Sequence, residues 1–332
     1  MRSLLVTGGA GFIGANFVRH VLASTDLHVT VLDALTPAGS REAVAGLDER
    51  RFALVVGDVR DARLVSDLVG RHDAVVHFAA ESHNDLSLAD PGRFVSTNVD
   101  GTFTLLEAVR RHDVRLHHVS TDEVYGDLDL DDPARFTEEN PYDPSSPYAA
   151  TKAASDHLVR AWVRSFGVRA TISNCSNNYG PWQHVEKFIP RQITGLVDGI
   201  YPRLYGDGLY VRDWIHVEDH CRAVLEVLLR GEIGRTYLVG ADGERSNLDI
   251  ARDLLVHFGR DPGAIDFVAD RPGHDRRYAI DASRLRDELG WRPLITDFAA
   301  GLADTVDWYR GHESWWRPQK SATEAGYASR GQ

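Results

Sequence analysis

Six short runs rich in Val, Ile and Leu alternate with longer stretches of helical pattern along the first half of the chain. The runs are Ser3–Thr7, His28–Leu32, Phe52–Val56, Ala74–Phe78, Leu116–Ser120 and Arg169–Ser173. They are apolar almost throughout rather than at every second residue, as strands covered on both faces must be. Thr102–Arg111 and Ala149–Phe166 are amphipathic stretches lying between runs. Strand and helix alternating through short connections predict an α/β fold with a doubly wound parallel sheet.

After about Asn174 the rhythm loosens, and the loops Asn177–Val185 and Gly199–Arg212 carry many Gly, Pro, Tyr and Trp residues. Such loops suit a smaller C-terminal substrate-binding lobe over the carboxyl ends of the strands. The expected division is a dinucleotide-binding domain over 1–175, with 211–240 returning to it, and a lobe over 176–316. A small, polar tail over 317–332 is expected to fray from Lys320 onward.

The 332 residues are 43% hydrophobic and 26% charged, an ordinary globular balance. A formal net charge of −12 argues against a nucleic-acid-binding surface. No apolar run approaches the ~20 residues of a membrane span, so neither nucleic acid nor membrane is an expected partner. Cys175 and Cys221 have neither paired nor metal-ligand spacing, which suits a cytoplasmic protein with free thiols. His83 and the other histidines lack ligand spacing too, so no metal is expected. The seven tryptophans read as packing residues.

Gly8, Gly11 and Gly14 directly follow the first run, and Phe12 and Ile13 open a helix between them. Glycines at this spacing let the backbone approach a pyrophosphate whose charge the helix N-terminus meets. A plain tight turn would use the same glycines, but Asp33 ends the second run, where a carboxylate can accept ribose hydroxyls. It would repel a 2′-phosphate, so the predicted cofactor is NAD on a Rossmann-like sheet. Ala34, Leu35 and Thr36 follow at the cofactor edge, Asp58 and Val59 flank the adenine, and Phe78, Ala79 and Ala80 leave room for the cofactor backbone. Ser82 and Thr97 complete the expected cofactor set, and Asn178 joins it only through the family resemblance that the next motif carries.

Tyr148 and Lys152 form Y-x-x-x-K at the start of a helix, so both side chains share one face. A phenol near pKa ~10 is a poor base, but an adjacent ammonium and an oxidised nicotinamide stabilise phenolate. With the glycines and the chain length, this pair resembles the extended short-chain dehydrogenase/reductase family across roughly residues 1–316. The resemblance implies tightly held NAD, a nucleotide-sugar substrate and a homodimer through a helical bundle, with the Thr102 helix and the Trp162 face as candidates.

Ser120-Thr-Asp-Glu-Val-Tyr-Gly126 is more discriminating, for it resembles the signature of the dTDP-glucose 4,6-dehydratases. Two carboxyls have a direct use there. A ketone at C4 acidifies the C5 proton, which a base must take, and the C6 hydroxyl leaves only if an acid protonates it. The resemblance makes Glu123 that base, Asp122 that acid, and Thr121 the partner of the C4 hydroxyl beside Tyr148; hydride then returns to C6. A 4-epimerase or decarboxylase of the same family, or a non-catalytic NAD-binding regulator, are the alternatives; Asp122 speaks against the first two.

The resemblance also implies a dTDP-sugar site of Ser82, Thr121, Asn177, Lys187, Phe188, Arg203, Leu204, Tyr205, Arg212, Asn247, Arg271 and His274, with Arg212 facing the diphosphate. The chain departs from the family's usual pattern at Asn84, where Val is common, at Leu86, and at Ala34 and Pro37 after Asp33.

Overall fold

All six apolar runs become strands of one sheet in the computed structural model, which describes residues 1–270 and 274–329. The strands are β1 (Ser3–Thr7), β2 (His28–Asp33), β3 (Phe52–Val56), β4 (Ala74–His77), β5 (Arg115–Thr121), β6 (Ala170–Cys175), β7 (Asn177–Tyr179), β8 (Arg203–Tyr205), β9 (Val211–His216), β10 (Thr236–Val239), β11 (Glu244–Ser246) and β12 (Asp266–Val268). The helices are α1 (Phe12–Ser24), α2 (Ala62–Val69), α3 (Asn84–Ala89), α4 (Pro91–Phe94), α5 (Gly101–His112), α6 (Pro147–Phe166), α7 (Phe188–Val197), α8 (Val217–Arg230), α9 (Asn247–His257), α10 (Ser283–Leu289), α11 (Phe298–Gly311) and α12 (Glu313–Ser329).

The main sheet runs β10-β6-β5-β4-β1-β2-β3 with every neighbouring pair parallel. Leu4, Val6, Val29 and Val31 face a core completed by α1 and α8. Leu5, Leu32 and Val75 face the other side, where α2, α5 and α6 pack. Successive strand residues thus enter two dry layers, and neither face can be polar. Chain order reverses between β1 and β4, which opens a crevice at the carboxyl ends of those strands.

Beyond β6 the chain builds two small sheets, β11-β9-β7 and β12-β8, while α8 packs on α1 and β10 adds the seventh main-sheet strand. A third core joins α7, α9 and α11 through Ile193, Leu254 and Val306 with Trp214, Trp315 and Trp316. The expected fraying from Lys320 is corrected here, because α12 continues to Ser329. Trp316 is fully buried and donates its indole N–H to Tyr309 O at 2.8 Å. Lys320 Nζ reaches Thr194 O and, at 2.6 Å, Asp198 Oδ2, so side chains rather than composition decide this segment. Trp316→Ala should lower stability by about 3–5 kcal/mol, read as a fall in the thermal unfolding midpoint.

Candidate active site

The turn after β1 is shaped by contacts that leave no room for side chains. Gly8 has φ +70°, and a Cβ there would meet Ala79 N at 2.5 Å. A Cβ on Gly14 would lie 2.2 Å from Gly8 O. Gly11 differs: its Cβ would meet nothing closer than Gly8 O at 3.4 Å, so it opens onto the crevice. Gly11 is also the N-cap of α1, and neither a capping side chain nor a first-turn carboxylate occupies that helix end. Backbone donors and a positive dipole end are therefore directed at the space an added Cβ would fill, which fits a pyrophosphate. Gly11→Ala should preserve the unfolding midpoint yet weaken NAD binding about tenfold or more, whereas Gly14→Ala should lower the midpoint itself. Titration with NAD beside thermal unfolding checks both.

Asp33 closes β2 and accepts N–H bonds from Ala10 at 2.9 Å and Leu35 at 2.8 Å. Burial raises its pKa, while those two bonds oppose the rise. Leu35 holds φ +50°, which turns the loop around this carboxylate. Asn178 is fixed at the other end of the crevice: it donates to Ser176 O at 2.9 Å, and its Oδ1 lies 2.9 Å from His220 Nδ1. Burial depresses His220 to about 3, so its neutral ring donates this bond.

Two elements bring in the reactive groups. Thr121 ends β5 and its hydroxyl caps the short turn Asp122–Tyr125, accepting from Glu123 N at 3.3 Å. Ser146 caps α6 by accepting from Ala149 N at 3.1 Å, and Pro147 pre-sets its first turn. Tyr148 and Lys152 then sit one helical turn apart, both buried. Lys152 Nζ donates to Val119 O at 2.8 Å. Desolvation lowers its pKa, against the pull of Asp156.

Burial and the Glu123 carboxylate push the Tyr148 phenol well above its ordinary value, opposed by a hydrogen bond with Thr121. An oxidised nicotinamide carries the positive charge that counters this rise. Asp122 is 2% exposed, and burial, Glu123 and Asp213 together raise its pKa well above the carboxylate range. Its Oδ1 accepts from Thr121 at 3.3 Å, while Oδ2 is buried without a hydrogen-bond partner among the described residues. The surroundings of Asp122 thus favour its neutral form, and one of its oxygens is left without a partner among the described residues.

One cavity of about 630 Å³ connects these parts. Its walls include Gly8, Gly11, Phe12, Ile13, Gly14, Asp33, Ala34, Thr36, Asp58, Val59, Phe78, Ala79, Ala80, Ser82 and Thr97 at one end. Thr121, Asp122, Glu123, Tyr148, Lys152, Asn177, Asn178, Lys187 and Phe188 continue it. Leu35 contributes backbone rather than wall. Arg203, Leu204, Tyr205, Arg212, Asn247 and His274 do not line the cavity.

Five of these six have contacts elsewhere in the fold. Leu204 is buried in β8, whose pairing with β12 uses that strip as structure. Tyr205 packs edge-on against His274, which pairs with Asp270 at 2.9 Å. Asn247 starts α9 and donates its backbone N–H to Tyr210 O. The Arg212 guanidinium donates to Asp275 O at 2.9 Å and lies 4.3 Å from the Tyr278 ring, and its charge acts on Asp122. Arg271 lies outside the described residues. Conversely, Gln183, Glu186, Trp214 and the Arg93–Glu81 ion pair line the cavity without having been read from sequence. Glu186 adjoins the expected Lys187 and Trp214 lies two residues beyond the expected Arg212, while Gln183 and the ion pair carried no motif.

The family model described as GDP-mannose 4,6 dehydratase matches residues 5–305. A dTDP-glucose 4,6-dehydratase of Mycolicibacterium smegmatis is 67% identical over 330 residues, 99% of each chain. The structure of DesIV, a dTDP-glucose 4,6-dehydratase of Streptomyces venezuelae with NAD bound, superposes with a TM-score of 0.92 at 48% identity, covering 96% of this chain and 99% of that one. A UDP-glucose 4-epimerase of Thermotoga maritima also superposes, with a TM-score of 0.85 at 26% identity over 93% of this chain and 99% of that one.

Proposed function

The chain belongs to the dTDP-glucose 4,6-dehydratase family, and from that premise we infer that it is an NAD-dependent hydro-lyase converting dTDP-glucose into dTDP-4-keto-6-deoxyglucose and water. Epimerases share the backbone, so the fold does not carry this reading. It is carried by the adjacent carboxyls Asp122 and Glu123, which line the same cavity as Tyr148 and Lys152. The surroundings of one carboxyl favour its neutral form; an epimerase has no use for an acid and a base at C5 and C6 together.

Bound NAD supplies a hydride acceptor for C4 and, once reduced, a donor for C6. Tyr148 takes the C4 hydroxyl proton, with the Thr121 hydroxyl orienting that oxygen. Glu123 takes the C5 proton made acidic by the new ketone. Asp122 passes its proton to the C6 oxygen, which leaves as water. C5 recovers a proton from Glu123 and the ring returns to a saturated ketosugar. Preorganised groups lower the cost of each transfer.

Lys187, Phe188 and Asn177, whose Oδ1 is buried without a hydrogen-bond partner among the described residues, are the groups read as meeting the sugar nucleotide. A single base methyl is worth only ~1–3 kcal/mol of discrimination. Product analysis with dTDP-glucose and UDP-glucose side by side tests the reading. Conversion of the thymidine substrate to a 4-ketosugar is expected; recovery of both sugars unchanged, or epimerised at C4, contradicts it.

The homodimer is part of the same proposal. Phe103 on α5 and Phe166 on α6 are each nearly half exposed, and Trp162 packs against both. An apolar strip across two helices supports pairing with a second copy. Placement in the cytoplasm rests on the two buried free thiols, and no described helix is long and apolar enough to cross a membrane.

A further inference from the structure

Glu123 is held from behind by a residue outside the cavity wall. The Asn84 amide donates to Glu123 Oε2 at 2.9 Å, and its carbonyl oxygen accepts from Ser146 Oγ at 3.0 Å. That hydroxyl also accepts the Ala149 N–H capping α6. Asn84 is tied through its backbone as well, since Ser87 Oγ donates to Asn84 O at 2.7 Å. An ionised carboxylate can only accept, so the amide nitrogen belongs on the Glu123 side and the oxygen on the hydroxyl side. The chain of bonds thus runs from the positive end of α6 through Ser146 and Asn84 to Glu123.

We propose that Asn84 is a positioning residue for the C5 base, fixing the orientation of the Glu123 carboxylate relative to the helix that carries Tyr148 and Lys152. The proposal rests on Glu123 being that base. A charge-assisted bond is shorter and stronger than a neutral one, and here its donor is itself locked at two points. Valine, the common residue at this place in the family, would fill the space but could not donate.

Two near-isosteric variants test it in the full-length enzyme with NAD and dTDP-glucose. Asn84→Val removes the donor. Deuterium uptake at C5 and kcat should fall about tenfold with KM changed by less than about twofold, while transient reduction of NAD is preserved. Asn84→Asp sets a second carboxylate against Glu123, and like charge should move the acid limb of the rate profile to higher pH. A purely structural role would lower all steps together and leave that limb in place. Wild-type C5 exchange in Asn84→Val, an unmoved acid limb in Asn84→Asp, or parallel loss of C4 oxidation would each overturn the proposal. Failure of the base assignment itself would show separately, as undiminished C5 exchange in Glu123→Gln.

Discussion

Glu123→Gln will stop exchange of the C5 proton with solvent while oxidation at C4 continues. The amide keeps the shape of the carboxylate and can still meet Asn84, which lies 2.9 Å from Glu123 Oε2. It cannot accept a proton at neutral pH. Removing a positioned base costs about 100- to 10,000-fold, so turnover should fall by that range. Tyr148 and Lys152 remain in place, and reduced nicotinamide should accumulate to a level the wild-type enzyme never holds. Its absorbance in a single turnover, with deuterium content at C5 read by mass spectrometry, gives both halves of the prediction.

Tyr148→Phe should fail one step earlier. The ring packs edge-on against Phe94 with centroids 6.4 Å apart, a contact that phenylalanine preserves. Only the hydroxyl that takes the C4 proton is lost. The expected result is again a loss of about 100- to 10,000-fold, now with no reduced nicotinamide and no C5 exchange. The two variants therefore separate by where the reaction halts. Equal accumulation of reduced cofactor in both would mean that Tyr148 is not the proton acceptor at C4. Burial and Glu123 raise the phenol's pKa, so the positive charge of an oxidised nicotinamide beside it would be needed to make the phenolate available as that acceptor.

The main sheet was legible because its strands are buried on both faces: residues such as Leu4 and Leu5 enter opposite cores and leave an unbroken apolar run. Glycine spacing revealed the cofactor turn for an equally local reason, since Gly8 and Gly14 sit against backbone atoms. The three-residue strands β7, β8, β11 and β12 are too short for a periodic signal and form only where distant loops meet. The tail misled because its composition is polar, whereas Trp316 and Lys320 anchor it through individual contacts. Arg212 illustrates a different gap: no sequence pattern reports the carbonyls and ring that its guanidinium meets. Asn84 stood out only as a departure, and its bond to Glu123 spans 39 positions that no local pattern reports.

Deuterium placed at C4 of dTDP-glucose follows the central step directly. If one nicotinamide held in this cavity first takes and then returns the hydrogen, the product is a 4-keto-6-deoxy sugar whose methyl group carries the C4 deuterium, with no net consumption of NAD. A product whose C6 hydrogen comes from solvent or from added reduced cofactor, or a sugar changed only in configuration at C4, would contradict the account.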